Sequence, residues 1–406
     1  MKRLITLILV LSFIIVGISS PALAESKDVK AVVKGNNEFA VAIYKKLCSG
    51  KKGNLFLSPY SISTALAMTY GGARGNTEIQ MAKVLHFTLP QNKLHPAYGS
   101  LIHGLNERGK KGDYKLTVAN RLWAQEGYKF LNSFLVLTEK YYGAGLQLLD
   151  FQNALEKSRV TINTWIEKKT NGKIVDLIKR GAVNKMTRLV LTNAIYFKGE
   201  WQDKFMKEAT TKADFHVSAK NKIKVNMMRK VEHFKFAKCK GFKVVEMPYK
   251  GRDISMIVFL PDKIDGINSL EKSMNAGNLD KWISKLKYER LRLSFPKFKV
   301  TSSFLLGKAL KGMGMLLPFS GDADFSGMTK QETVFISEVI HKTFVKVDEA
   351  GTEAAAATAV IMAGSAAPSK EPEVFNVNRP FVFMIRDNKS GSILFMGRVM
   401  KPDPAK

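Results

Sequence analysis

Two strand-like stretches, FVKV (Phe344 to Val347) and FVFMIRD (Phe381 to Asp387), flank the segment DEAGTEAAAATAVIMAGSAAPSKEPEV, from Asp348 to Val374. Its alanine run favours helix by propensity. Gly351 and Gly364 bracket the run, however, and the polar stretch near Pro368 and Pro372 ends any helix. Taken alone, the residues fit a surface helix followed by a loop. They also fit a strand. With a period of two, Thr352, Ala354, Ala356, Thr358, Val360 and Met362 share one face. Glu353, Ala355, Ala357, Ala359 and Ile361 share the other. Up to Ala357 every side chain except Glu353 is small, so such a strand could slip between two existing strands without steric conflict. The segment can be a loop in one state and a central strand in another.

The rest of the chain supplies helices first and strands later. NNEFAVAIYKKLCS, from Asn36 to Ser49, puts Phe39, Ala42, Ile43 and Leu47 on one helical face. The stretch from Ser58 opens with serine caps and stops at Gly71 and Gly72. RVTINTWIEKKTNGKIVDLI, from Arg159, is amphipathic through Val160, Ile162, Trp165 and Ile166. Strand composition marks Thr187 to Trp201, Ile254 to Asp262, Arg290 to Val300, Phe381 to Asp387 and Ser392 to Met400, with a hairpin turn over residues 387–391. This order predicts an α+β fold with large, mostly antiparallel sheets.

The first residues stand apart from the fold. Lys2 and Arg3 precede an apolar run from Leu4 to Ile18, and Ala22 and Ala24 then stand in A-x-A spacing. That order predicts a secretory signal peptide, residues 1–24, cleaved after Ala24. The run is short for a membrane span of about 20 residues, and no other stretch is long and apolar enough to be one. The exported product would be extracellular or periplasmic. Length alone allows two or three domains of roughly 150 residues. No Pro/Gly/Ser-rich linker, low-complexity block or repeat divides the chain, and at 45% hydrophobic it can bury a large core. Residues 25–406 are therefore expected to form one domain. The two cysteines, Cys48 and Cys239, are no disulfide framework and are expected as small buried apolar residues.

A net charge of +29 should attract polyanions such as nucleic acid or glycosaminoglycan. Lysines spread over a soluble surface give the same number. Local clusters are Arg108, Lys110, Lys111 and Lys115, and Lys235, Lys238, Lys240 and Lys243, neither with the interleaved aromatics of a nucleic-acid platform. No GxSxG, HExxH, GxxxxGK[ST] or CxxC pattern is present. Gly312-x-Gly314 lacks the third glycine of a dinucleotide fingerprint, and none of the six histidines has a partner at metal-ligand spacing. No enzyme activity, metal or cofactor is expected.

EAGTEAAAATAV resembles the hinge of the serpin reactive-centre loop, and FNVNRPFVFMIRDNKSGSILFMGRVMKP, from Phe375 to Pro402, resembles that family's C-terminal signature. NLFLSPYSISTALAMTYGGARGNT, LTNAIYFKGEW and ADFSGM resemble further serpin blocks in the expected order. The resemblance implies the serpin fold: about nine helices around three β-sheets, with an exposed reactive-centre loop at about residues 349–374. It also implies a monomeric suicide inhibitor. A protease cuts the loop and is acylated, the hinge side inserts into the main sheet, and the tethered protease is carried away. About 14 residues at 3.3 Å each give roughly 45 Å of travel. Insertion adds on the order of ten backbone hydrogen bonds netting ~1 kcal/mol each, so the intact protein would be held by kinetics.

By the same resemblance, Glu349 starts the loop and pairs with Lys297 at the top of the sheet. Gly351 lets the chain swing. Thr352 is the first residue to insert, where a charge would resist burial. Ala354, Ala355, Ala356, Ala357 and Thr358 follow. Ser58, Ser61, Asn193 and His341 match the polar cluster beneath the strands that part, and Trp201 the tryptophan where the loop goes in; plain core packing would also explain Trp201. The usual inhibitory spacing from Gly351 puts the scissile bond at Ser365–Ala366, with Met362–Ala363 as the alternative. The small residues there suit an elastase-like or subtilisin-like serine protease. Inhibition of papain-like cysteine proteases, and a binding or chaperone role with no protease trapped, are the competing readings.

Overall fold

The computed structural model describes residues 26–49, 52–330, 334–353 and 371–404. The expected leader (1–24), the alanine run and both candidate scissile bonds lie outside the described residues. In chain order the elements are α1 (Lys27–Cys48), β1 (Leu55–Leu57), α2 (Pro59–Tyr70), α3 (Gly75–Leu85), α4 (Gln91–Gly109), β2 (Tyr114–Gln125), α5 (Asn132–Tyr142), β3 (Leu146–Leu149), α6 (Leu155–Lys169), β4 (Leu189–Glu200), β5 (Thr211–His216), β6 (Lys222–Cys239), β7 (Phe242–Pro248) and β8 (Ile254–Pro261). They continue with α7 (Ile267–Ser273), α8 (Ala276–Ile283), β9 (Lys287–Pro296), β10 (Phe298–Leu305), α9 (Gly307–Lys311), β11 (Ile336–Asp348), β12 (Gly351–Thr352), β13 (Glu373–Asn376), β14 (Phe381–Asp387) and β15 (Ile393–Val399).

Ser58 caps α2 as its sequence suggests, accepting from the Ser61 N–H at 3.2 Å. Other boundaries differ from the sequence reading. Helix α1 starts nine residues before Asn36, because Val29, Val32 and Val33 extend its buried stripe. Helix α6 stops at Lys169, where Asn171 and Gly172 take positive φ. The apolar residues beyond it, Ile174, Leu177 and Ile178, are buried as irregular chain. Val160 is exposed, off the buried face. Arg290 to Val300 is two strands, β9 and β10, parted at Lys297.

A six-stranded sheet runs β10-β11-β12-β4-β2-β3, with β11 and β4 also paired directly and parallel. The other sheet has nine strands, in the order β1-β15-β14-β8-β7-β6-β9-β13 with β5 on β6. Of the three expected sheets, two are hydrogen-bonded into this single network. The cause is β6, 18 residues long, which pairs successively with β5, β9 and β7. Among the described residues there are nine α-helices, none long and apolar enough to cross a membrane.

The central strand β4 of the six-stranded sheet is buried on both faces, whereas β10 at one edge alternates buried and exposed residues. Along β4, Leu189, Leu191, Ile195 and Phe197 join the main core, which runs from α1 to β15. The alternate residues Val190 and Ala194 join a second cluster under α6, with Trp123, Ile162, Ile166 and Ile340. A bulge between Ile336 and Glu338 resets the phase of β11, so that Val339, Val345 and Val347 face the main core. The thiols of Cys48 and Cys239 are free and only half-buried, less enclosed than expected. Burial, and then Glu271, push the Cys48 thiol up to about 12.

Candidate functional site: the hinge and the strands it enters

The alanine-rich segment begins inside the sheet. Strand β11 ends at Asp348, the chain turns back, and Gly351–Thr352 run antiparallel to β11 and also antiparallel to β4. Thr352 stands opposite Val347 on one side and Gly199 on the other. Below this point β11 and β4 pair with each other, from Ile336 and Leu189 to Phe344 and Tyr196. The top of the interface is thus opened by two hinge residues, and the rest is closed. The sequence reading makes Thr352 the first residue to insert after a cut; in the intact chain it already sits between the strands. Glu349 and Thr352 are therefore buried in the turn and the sheet, and Glu349 is not the start of an exposed loop.

Several contacts hold the hinge. Lys297 Nζ lies 2.7 and 3.0 Å from the two Glu349 carboxylate oxygens, and Thr210 Oγ1 donates to Glu349 Oε1 at 2.8 Å. Burial alone would raise the Glu349 carboxyl, but the bonds from Lys297 and Thr210 hold it below its ordinary value. Trp201 gives its backbone N–H to Ala350 O and its indole N–H to Asp348 O, both at 3.0 Å. It is thus a brace for the turn as well as a core residue. Its ring stacks on Tyr249 at 4.6 Å between centroids, and the Tyr249 hydroxyl meets Thr352 Oγ1 at 2.7 Å.

Gly351 has φ +150°, and a Cβ there would lie 2.1 Å from Gly199 O and 2.7 Å from the Glu200 Cα. Only glycine fits. Glu353 leaves the sheet toward α6: one carboxylate oxygen accepts from the Tyr196 hydroxyl at 3.0 Å and lies 3.0 Å from Lys173 Nζ. Thr352 and Glu353 thus point to opposite faces, although Glu353, with φ +55°, has already left the strand.

The cluster predicted beneath the parting strands is assembled, with a fifth member. The Ser58 backbone N–H donates to His341 Nε2 at 3.0 Å, and a backbone N–H can only donate, so Nε2 carries no proton. His341 Nδ1–H then donates to Asn193 Oδ1. The Asn193 amide donates to Ser61 Oγ and to Asn120 Oδ1, and Asn120 Nδ2 donates to Ser61 O at 3.2 Å. Burial pushes His341 down to about 3, consistent with a neutral ring beside the N-terminus of α2. The bond from His341 on β11 to Asn193 on β4 crosses the line along which the sheet must part. Asn120, Tyr249, Thr210, Tyr196 and Lys173 carry no sequence signal for this role, since each lies in an ordinary strand or loop.

The basic clusters are partly spent inside the fold. Arg108 turns inward to the buried Asp387 at 2.7 Å. Lys235 and Lys238 pair with Glu246 and Glu373, and Lys243 donates to Val374 O. Lys111, Lys115 and Lys240 remain exposed. Among the described residues no group of three or more His, Cys, Asp or Glu side chains is placed to hold a metal ion.

Comparison with known proteins places this architecture. Residues 34–402 match the family model described as serpin (serine protease inhibitor). The human leukocyte elastase inhibitor is 43% identical over 377 residues, covering 90% of this chain and 98% of that protein. Human serpin B3 is 42% identical over 386 residues, covering 91% and 99%. The crystal structure of Serpin48 from the insect Tenebrio molitor superposes with a TM-score of 0.82 at 31% identity, covering 93% of this chain and 99% of that one.

Proposed function

The chain belongs to the serpin family and is a protease inhibitor, and on that premise we propose that its target is an elastase-like or subtilisin-like serine protease cut at Ser365–Ala366. The observation that carries the mechanism is the placement of Gly351–Thr352 between β11 and β4. With the strand already started, its register sets the faces of the residues after it. Ala354, Ala356, Thr358, Val360 and Met362 would continue the Thr352 face into the main core, and Ala355 and Ala357 would pass under α6. Each residue inserted exchanges part of one parallel pairing for two antiparallel ones, and burying Val360 and Met362 adds ~1.5–3 kcal/mol each.

The target class is supported by the small residues Ala363, Gly364, Ser365 and Ala366, and by the relatives named for leukocyte elastase. Met362–Ala363 is the alternative bond. Residues 25–406 act as one monomeric domain, exported after cleavage at Ala24, a reading supported by the N-terminal Lys-Arg, apolar run and A-x-A order. The net charge of +29, with Lys111, Lys115 and Lys240 exposed, supports attraction to polyanions.

Incubation with pancreatic elastase, subtilisin, trypsin and papain, followed by denaturing gels and sequencing of the released peptide, tests this reading. A denaturant-stable adduct with elastase or subtilisin and a peptide starting at Ala366 is expected. An adduct with papain alone would move the target to the cysteine proteases, and cleavage without adduct would leave a binding or chaperone role.

A further inference from the structure

Three successive carbonyls of the hinge turn accept from one short segment. Besides the two bonds from Trp201 to Asp348 O and Ala350 O, Phe205 gives its backbone N–H to Glu349 O at 2.9 Å. Residues 202–206 form neither helix nor strand, so their own backbone groups need partners elsewhere. Lys230, on β6, supplies them. Its Nζ donates to Asp203 O at 2.7 Å and to Lys204 O at 3.4 Å, the two carbonyls between Gln202 and Phe205. The same ammonium lies 5.4 Å from the Phe205 ring centroid and 5.7 Å from that of Phe234, both rings buried. Lys230 is half-buried, and burial lowers its pKa against opposing pulls from Asp203 and Glu232. Withdrawing an ammonium from water is costly, so a merely solvated surface charge does not explain this placement.

Lys230 also sits in a row that leads to the other end of the bait loop. It stands opposite Leu293 of β9, and Leu293 stands opposite Phe375 of β13, the strand that follows the loop. We infer that Lys230 is a positioning residue of the inhibitory reaction: its ammonium shapes the segment Trp201–Phe205 that grips the hinge turn, and so ties the hinge to the strand on the far side of the loop. Without that grip, Trp201 and Phe205 release the turn for part of the time and Gly351–Thr352 leave the cleft. Insertion after a cut then starts with no strand in place, and the protease gains time to hydrolyse its ester and escape.

The grip stands alone; its effect on trapping rests on the inhibitory mechanism, and the experiment separates them. Amide hydrogen exchange is followed at Trp201 and Phe205 in the full chain and in Lys230→Met, Lys230→Gln and Lys230→Arg. Methionine keeps most of the stem and removes the donor, glutamine is the second neutral variant, and arginine keeps a cationic donor. A variant is read only if its β14 amides exchange as in wild type, which separates a local release from loss of the fold. Exchange at both amides about tenfold faster or more is expected in Met and Gln, and within about threefold of wild type in Arg. Unchanged exchange in Met or Gln overturns the grip, and exchange in Arg as fast as in Met overturns the donor role. Subtilisin is then added to each. At least a doubling of the fraction cleaved without adduct is expected in Met, with Arg near wild type, and an unchanged fraction in Met overturns the coupling to insertion. Failure of the wild-type protein to form any adduct would count against the inhibitor reading alone, since the exchange measurement involves no protease.

Discussion

The hydroxyls of Thr352 and Tyr249 lie 2.7 Å apart, with Thr352 fully buried between β11 and β4 in the intact chain. Strand exchange has therefore begun before any protease arrives. The remaining step is to part the direct β11–β4 pairing beneath, where the His341–Asn193 bond spans the line of opening.

Thr352→Arg should separate cleavage from trapping. A guanidinium cannot enter between the strands beside Tyr249 without losing its hydration, a cost of several kcal/mol. The variant should be cut at the same bond and released, with adduct yield down at least tenfold. Denaturing gels against the wild-type protein measure this.

Gly351→Val should push the hinge out of the sheet. The new Cβ would meet Gly199 O at 2.1 Å, and valine disfavours the φ of +150°. The folded protein should lose about 1–3 kcal/mol. Hydrogen exchange at Gly199 and Trp201 should rise, since Gly199 stands opposite Thr352 and Trp201 gives its backbone N–H to Ala350 O beside the hinge. Exchange unchanged from wild type would mean that the hinge contributes nothing to closing the top of the sheet.

Lys297→Ala leaves the Glu349 carboxylate, 9% exposed, with Thr210 as its remaining side-chain donor. Because Lys297 is itself about a third exposed, solvent screens part of the pair and the expected loss is about 1 kcal/mol. Glu349→Gln should cost less, since the amide oxygen can still accept from Thr210 or Lys297. Urea unfolding of both variants checks the order.

Acid should weaken the intact protein before its carboxylates titrate. Burial holds His341 near 3 and, with a smaller push from Arg74, His95 near 4, against an ordinary 6.5. Above 6.5 both the folded and unfolded chains carry neutral rings and the stabilisation is complete. As pH falls from 6.5 toward those depressed values, the unfolded chain takes up protons that the fold refuses. Stability should fall by up to about 1.4 kcal/mol per pH unit for each histidine. Urea midpoints between pH 7 and 4.5 measure the slope, and His341→Gln should reduce it. A flat profile would mean that neither ring is held neutral.

How much of this was legible depends on where each contact comes from. The strands β4, β8, β14 and β15 were readable because their apolar runs are long and bounded by turns, and the cap at Ser58 because it is local. The ends of α1 and α6 were not: one is set by packing of Val29 to Val33, the other by the turn at Asn171 and Gly172. The pair Lys297–Glu349 and the set Ser58, Ser61, Asn193 and His341 join residues 3 to 283 positions apart. Family resemblance brought them together; periodicity could not. Asn120 and Tyr249 carried no such mark. The early insertion of Thr352 was out of reach for the same reason, since it depends on a cleft whose walls, Val347 and Gly199, lie at the ends of two strands far apart in sequence.

Thermal unfolding before and after a single cut within residues 354–370 decides whether the hinge is the start of a strand. Papain in catalytic amount makes the cut and is then blocked. If the freed segment continues the strand that Gly351–Thr352 begin, on the order of ten new backbone hydrogen bonds at ~1 kcal/mol each should raise the melting temperature by roughly ten degrees or more. Cut protein that melts at or below the temperature of the intact protein would mean that the two hinge residues are simply the end of a loop.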